Sequence, residues 1–384
     1  MKVVRILELD GGGIRGIISM QFLQEFCNLA GISSVLDSFD VICGTSIGGI
    51  CALGLANGQT PTQLLNLLIN DGPSIFTYTW GPIPVQGPAG GATLGSLLVA
   101  PGVNPYVYNN CYNSSSGVRD NSAPLANTLN GVLGNTLLGN IKKPVLITSM
   151  AYTGGTAGSS PTVGFPCENI YFPYNADAPI TSMVPVNFSN IKLPWTSGRS
   201  ASAVNIALTT SAAPIYFLPV QLNLDSDPAR DPWFIDGGLY LNSPINPGLA
   251  LAKTLYPNAN LYSILSIGTG NLFSFPTIKA PLDHSGVTIA PNNSLPFLSQ
   301  LLNFTIDAGV TGSIAPYQAM SLYNVDPQVV FYRFQADLPN TVATGTWELD
   351  NVTIDFPNAF INVANQQIVR DSLKIQSFIQ RSRF

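Results

Sequence analysis

Two strand-like runs near the N-terminus each end in a glycine turn that opens onto a helix-like run, and this repeat constrains the fold most. Val3 to Leu9 leads into Asp10-Gly11-Gly12-Gly13-Ile14-Arg15-Gly16, and a helical pattern over Ile17–Leu29 follows. Phe39 to Cys43 leads into Gly44-Thr45-Ser46-Ile47-Gly48-Gly49, and a small-residue helix over Ile47–Leu55 follows. Strands that hand over to helices in this way lie parallel in a sheet whose faces the helices cover. Further strand patterns occur at Pro144–Ala151, Trp233–Ile235, Leu261–Ile267 and Val329–Gln335. A helix is expected over Pro61–Asn70, with Thr60 as N-cap, Pro61 at the first helical position and Gln63 closing a capping box. Another is expected over Phe360–Ile379, where Ile361, Ala364, Ile368, Ile375 and Ile379 fall roughly on one stripe. The fold class expected from this alternation is an α/β layer architecture.

The second glycine segment has the form Gly-x-Ser-x-Gly, a strand-to-helix turn that exposes a serine hydroxyl. Side chains at Gly44 and Gly48 collide across such a turn, and the helix N-terminus behind Ser46 favours developing negative charge. The first segment is suited to aim the N–H groups of Gly12 and Gly13 at an oxyanion beside that serine. It also fits Gly-x-Gly-x-x-Gly, the dinucleotide fingerprint. That reading asks for an acidic residue ending the second strand, whereas Asp40 begins it and the strand runs into the serine. Arg15, close by, either holds the loop in shape or meets a phosphate, and the sequence leaves both open.

A nucleophilic serine needs a base, and the chain has one histidine. The order Ser46, Asp236, His284 is permitted for a Ser–Asp–His triad. His284, however, sits in Pro281-Leu282-Asp283-His284-Ser285-Gly286, a polar stretch that reads as a loop. Asp236 is the stronger candidate, because Trp233-Phe234-Ile235-Asp236-Gly237-Gly238 ends a short apolar strand and leads into glycines; the plain alternative is an Asp-Gly turn.

Composition narrows the function classes. Hydrophobic residues make up 46% of the 384, enough for a large core, and only 10% are charged, against roughly 25% in an average globular protein. A net charge of −5 gives no basis for a nucleic-acid partner or for strong attraction to anionic lipid. The longest apolar stretch, about Val41 to Ala56, is shorter than a membrane span and carries the elbow, so no transmembrane segment is expected, and with no signal-peptide pattern the chain reads as soluble and cytoplasmic, peripheral at membranes at most. Cys27, Cys43, Cys51, Cys111 and Cys167 show no metal spacing and read as buried thiols. Sequons such as those at Asn113 and Asn303 reflect an Asn-rich composition more than glycosylation. Thr77 to Ala123 is rich in Gly, Pro, Ser and Asn and has little periodicity; it is either a lid carrying Trp80 and Leu97-Leu98-Val99, or a surface insertion. No linker forces a second domain, so residues 1–384 are read as one domain with that insertion.

Taken in order, Asp-Gly-Gly-Gly-Ile-Arg-Gly, Gly-Thr-Ser-Ile-Gly-Gly and Asp-Gly-Gly resemble the patatin-like phospholipase family. Thr210-Ser211-Ala212-Ala213-Pro214-Ile215-Tyr216-Phe217 and Ser266-Ile267-Gly268-Thr269-Gly270 add to the likeness, which is closest to the plant-patatin branch and spans most of the chain, more weakly over Thr77–Ala123 and toward the C-terminus. The resemblance implies a three-layer α/β/α fold and hydrolysis of acyl esters of phospholipids or galactolipids at a membrane or micelle surface. It implies a Ser–Asp dyad without histidine, with Ser46 as nucleophile, Asp236 as its partner and Gly11, Gly12 and Gly13 as the oxyanion loop. Arg15 matches a basic position of the family's glycine motif. No metal or cofactor is implied. A general esterase or thioesterase, and a non-catalytic lipid-binding or storage protein, are the alternatives. The few charges and the long insertion put substrate preference in doubt more than the chemistry.

Overall fold

A computed structural model describes residues 2–76, 123–153, 182–213, 232–272, 326–339 and 355–384, together with 217, 220–222, 224, 347, 349 and 352. Strands β1 (Val3–Leu9), β2 (Val41–Thr45), β3 (Val145–Thr153), β7 (Leu261–Ile267) and β9 (Val329–Phe334) form the parallel part of the sheet, in the spatial order β3-β2-β1-β7-β9. β2 and β7 are buried at every position, as parallel strands covered on both faces must be. Alternation along β1 assigns the faces. Val4 and Ile6 pack with Ile245, Leu249 and Ala252 of α7 (Ile245–Leu255). Leu7 and Leu9 belong to the larger core. That core is covered by α1 (Gly16–Ala30), α3 (Ile47–Asn57), α4 (Pro61–Ile75), α5 (Ala123–Leu133), α6 (Ala203–Thr210), α8 (Asn358–Arg370) and α9 (Ser372–Ser382). Helix, sheet and helix make the three expected layers. The short α2 (Val35–Ser38) leads into β2, and the two-residue strands β8 (Asn271–Leu272) and β10 (Asp337–Leu338) pair with each other.

The sheet is mixed at one end, and this places the site. β4 (Ser182–Ser189) pairs antiparallel along Leu146–Thr153 and so fills one edge of β3. β2 and β6 (Trp233–Asp236) therefore share the other edge. β2 runs parallel to β3 and stops with Thr45 opposite Thr148. β6 runs antiparallel and stops with Asp236 opposite Ser149. Two strands thus end head to head on adjacent residues of β3, which brings Ser46 and Asp236 together from distant parts of the chain. β5 (Val220–Gln221) extends β6 at the margin.

Two expectations differ from the structure. The expected helix over Phe360–Ile379 is two helices, parted at Asp371. Asp371 is buried and accepts hydrogen bonds from the Tyr332 hydroxyl at 3.3 Å and from Lys374 Nζ at 2.7 Å. Tyr332, from β9, thus holds its side chain where the helix breaks. Residues 123–133, at the end of the Gly/Pro-rich stretch and beyond it, form α5; Trp80 and Leu97-Leu98-Val99 lie outside the described residues. The Thr60 capping box is present, with Thr60 Oγ1 accepting from the Gln63 N–H at 3.2 Å and Gln63 Oε1 accepting from the Thr60 N–H at 2.8 Å. Cys27, Cys43 and Cys51 are buried free thiols, and burial pushes Cys27 and Cys51 up to about 12; Cys111 and Cys167 lie outside the described residues. Among the described residues no helix is long and apolar enough to cross a membrane, and no cluster of metal-ligating side chains occurs.

Candidate active site

Ser46 occupies the turn between β2 and α3 with φ 54° and ψ −127°, a backbone conformation that L side chains rarely adopt. The flanking glycines are required by space. A Cβ on Gly44 would lie 2.2 Å from the Gly48 carbonyl oxygen, and one on Gly48 would lie 2.3 Å from that of Leu9. The strained turn is held from α6: the Ser46 N–H donates to Thr210 Oγ1 at 2.9 Å, and that hydroxyl donates to the Thr148 carbonyl at 2.7 Å. Thr210 thus ties the serine's backbone to the strand that aligns β2 with β6. It stands in a segment quoted for the family likeness, but no spacing rule singles out its hydroxyl.

Asp236 ends β6 only 2% exposed, hydrogen-bonded to the Ser46 side chain. Its Oδ1 also accepts from the Gly238 N–H at 2.6 Å. Burial pushes its carboxyl up to about 7, and these two hydrogen bonds hold it from going higher. A carboxylate that titrates near neutrality is a far better proton acceptor than a solvated one. His284 lies outside the described residues.

The glycine loop crosses the same site after β1. Its first residue is spent on structure: the Gly11 N–H donates to the Asn242 carbonyl at 3.2 Å. The Gly11 carbonyl accepts from Thr269 Oγ1 at 2.8 Å and from Asn242 Nδ2 at 3.3 Å. Gly11 therefore anchors the loop, its own N–H taken by Asn242. Gly12 and Gly13 do line the cavity with Ser46 and Asp236, and among the described residues nothing accepts from their N–H groups. Gly13 has φ 57°, and a Cβ there would lie 2.1 Å from the Leu349 carbonyl oxygen, so the loop tolerates only glycine. Arg15, for which the sequence leaves both readings open, is 1% exposed and is not among the described residues that line the cavity.

A cavity opens beside Ser46 and Asp236. Ser46, Asp236, Gly12, Gly13, Asn242 and Ser211 form its polar end. The rest is apolar, including Ile14, Ile50, Leu68, Phe76, Leu125 and Phe217. No basic side chain lines it among the described residues. The dinucleotide reading is not favoured by this wall: β2 ends at Thr45, whose hydroxyl is paired with that of Thr148 at 2.5 Å, where a ribose-binding acid is needed.

The family model described as patatin-like phospholipase matches residues 7–249. The chain belongs to that family. Among curated patatin-like relatives, a cGAMP-activated phospholipase of Vibrio cholerae is 31% identical over 69% of this chain and 64% of its own length. One from Escherichia coli is 28% identical over 64% of this chain and 55% of its own length. The plant side is represented by patatin-like protein 2 of rice, 26% identical over 64% of this chain and 51% of its own length. The match thus spans between about half and two thirds of these relatives. The patatin-like match stops before β7 and β9, yet Thr269, Leu349 and, as shown below, Arg333 reach back to the glycine loop from beyond it.

Proposed function

We propose that this chain is a serine-dependent lipid acyl hydrolase of phospholipase A type that works through a Ser46–Asp236 dyad and an acyl-enzyme. The observation that carries the reading is the meeting of the Ser46 turn and the buried Asp236 in one cavity, at strand ends on adjacent residues of β3. Ser46 Oγ attacks the ester carbonyl carbon as its proton passes to Asp236. The oxyanion that forms is met by the N–H groups of Gly12 and Gly13, with the N-terminus of α3 adding positive potential. Asp236 then returns the proton to the departing lysolipid or glycerol oxygen, and the C–O bond breaks. In the second half Asp236 takes a proton from water, whose oxygen attacks the acyl carbon, and Ser46 recovers its own proton as it leaves. No step calls for a metal or cofactor.

The substrate proposed is the acyl ester of a phospholipid or galactolipid at a membrane or micelle surface. Support comes from the apolar wall, which suits a fatty chain. The names of two relatives add an activator, cGAMP, as a candidate regulator of this chain, tested by adding it to the assay. The decisive experiment is fluorophosphonate labelling with peptide mapping, alongside hydrolysis of phospholipid vesicles and of a short nitrophenyl ester. Label on Ser46 and faster turnover of the vesicles support the reading. Label on another residue, or none, overturns it; label with turnover of the soluble ester alone indicates a general esterase.

A further inference from the structure

Below the glycine loop lies a buried ionic cluster that the proposed reaction does not use. Glu8 and Asp10 stand two residues apart on one side of β1 and its end, both 0% exposed. Arg333 of β9 is the cation that meets them. Its Nη1 donates to Asp10 Oδ1 at 2.9 Å and its Nη2 to Asp10 Oδ2, a two-pronged pair with a planar partner. Nη1 also donates to Ser266 Oγ at 2.7 Å and lies 3.6 Å from Glu8 Oε2. Ser266 Oγ donates in turn to Glu8 Oε2, and Ser243 Oγ donates to Glu8 Oε1 at 3.1 Å. Ser243 follows Asn242, the residue that grips Gly11 through both its backbone carbonyl and its side-chain amide. Asp10, Ser266 and Glu8 thus meet at one guanidinium, and Ser243, the residue beside Asn242, is joined to Glu8.

We infer that Arg333 is a positioning residue for the glycine loop, fixing through Asp10 the direction in which the Gly12 and Gly13 N–H groups point. The inference rests on the hydrolase reading for its kinetic consequence, but not for its structural one. Two features support it. Asp10 is the last residue before the loop, so a carboxylate clamped at two points fixes where the loop starts. Burial also makes the clamp stiff, because the Asp10 side chain is 0% and the Arg333 side chain only 9% exposed. Burial, and next the Asp10 charge, push the Glu8 carboxyl well above the usual range, against the pull of Arg333. Arg333 lies beyond residue 249, where the family match stops. The matched segment is then insufficient by itself to set its own oxyanion loop.

The test uses the full chain with Arg333→Lys, which keeps the charge and loses the two-pronged geometry. Two readouts are taken: kcat and KM on a nitrophenyl ester, and amide hydrogen exchange of the peptide covering residues 9–16, with α9 as internal reference. The expected result is a kcat about 100-fold lower, a KM within about twofold of the parent, and exchange in 9–16 at least about tenfold faster while α9 is unchanged. Parent-like kcat and parent-like exchange in a folded variant overturn the inference. If Arg333→Lys does not fold, the double variant Asp10→Asn/Arg333→Met removes both charges of the pair and leaves no unpaired ion. In that variant, slow turnover and fast loop exchange support the clamp, and recovery of both overturns it. If the parent itself hydrolyses no ester, faster exchange confined to 9–16 still establishes the clamp, and the hydrolase reading alone falls.

Discussion

Replacing Asp236 by Asn is expected to make the fold more stable as it removes the reaction. In the folded chain the Asp236 carboxyl titrates near 7, against 3.8 for the ordinary group. Between those values the folded chain keeps a proton that the unfolded chain has already released. Stability contributed by this group is therefore fully present below about pH 4 and is lost as pH rises toward 7 and through it. The loss runs at about 1.4 kcal/mol per pH unit over roughly three units, about 4 kcal/mol in all. Asn is nearly isosteric, accepts from Ser46 and Gly238 as the carboxyl does, and has no charge to bury. Its advantage over the parent should thus grow from near zero at about pH 4 to about 4 kcal/mol at about pH 8.5. Taking the difference between the two proteins cancels every other titrating group, Glu8 included. The assay is urea denaturation of both proteins across that range, with the variant's turnover falling about 10²–10⁴-fold or more. In the parent, kcat/KM for ester hydrolysis should rise through about pH 7 as the carboxyl ionises. Stability curves that remain parallel across the range would refute the claim that Asp236 is held near neutrality by burial.

Ser46→Ala is expected to lose more than about 10⁴-fold in turnover with its melting behaviour retained, and His284→Ala to keep both; a folded but inactive histidine variant would instead indicate a triad. Gly13→Ala places a methyl 2.1 Å from the Leu349 carbonyl at φ 57°, so a loss of about 1–3 kcal/mol in stability and about 100-fold in kcat is expected, read by thermal melts and the nitrophenyl ester. Glu8→Gln mimics a neutral carboxyl, with an amide able to donate toward Asp10. Its melting temperature should stay within about 2 °C of the parent at neutral pH and exceed it in alkali, where the parent alone must bury a second charge. A large drop at neutral pH would show that Glu8 is ionised in the fold.

What the sequence made legible follows from how local each signal is. β1 and β7 are found where the apolar runs place them, and α4 starts where Thr60, Pro61 and Gln63 say it must, because those signals lie within a few residues. The elbow was legible for the same reason: Gly44 and Gly48 are demanded by contacts with residues four positions apart or with the neighbouring strand. β4 was not seen, since Ser182–Ser189 has a proline in its middle and earns its place as a strand only by pairing along the whole of β3. Gly11 and Arg15 show the limit at the site. Both sit in the motif, but whether an N–H or a guanidinium faces a ligand is decided by Asn242 and by burial, which are long-range facts. Arg333 carries no local signal at all, as its meaning lies wholly in a carboxylate more than three hundred residues earlier.

In the proposed dyad, the mixed sheet gives a reason why an aspartate would act without a histidine beside it. In a wholly parallel sheet the strand ends that surround a nucleophile point the same way, and a side chain must reach across from a loop to meet it. Here β6 runs against β2 along the same edge of β3, so the acid arrives on a strand end that abuts the serine directly. The same closeness keeps water from the carboxyl, and the loss of water is what lifts its basicity toward that of an imidazole. The strand arrangement thus supplies both requirements together, contact and a shifted pKa. A dyad built from an exposed loop aspartate would have the contact without the basicity.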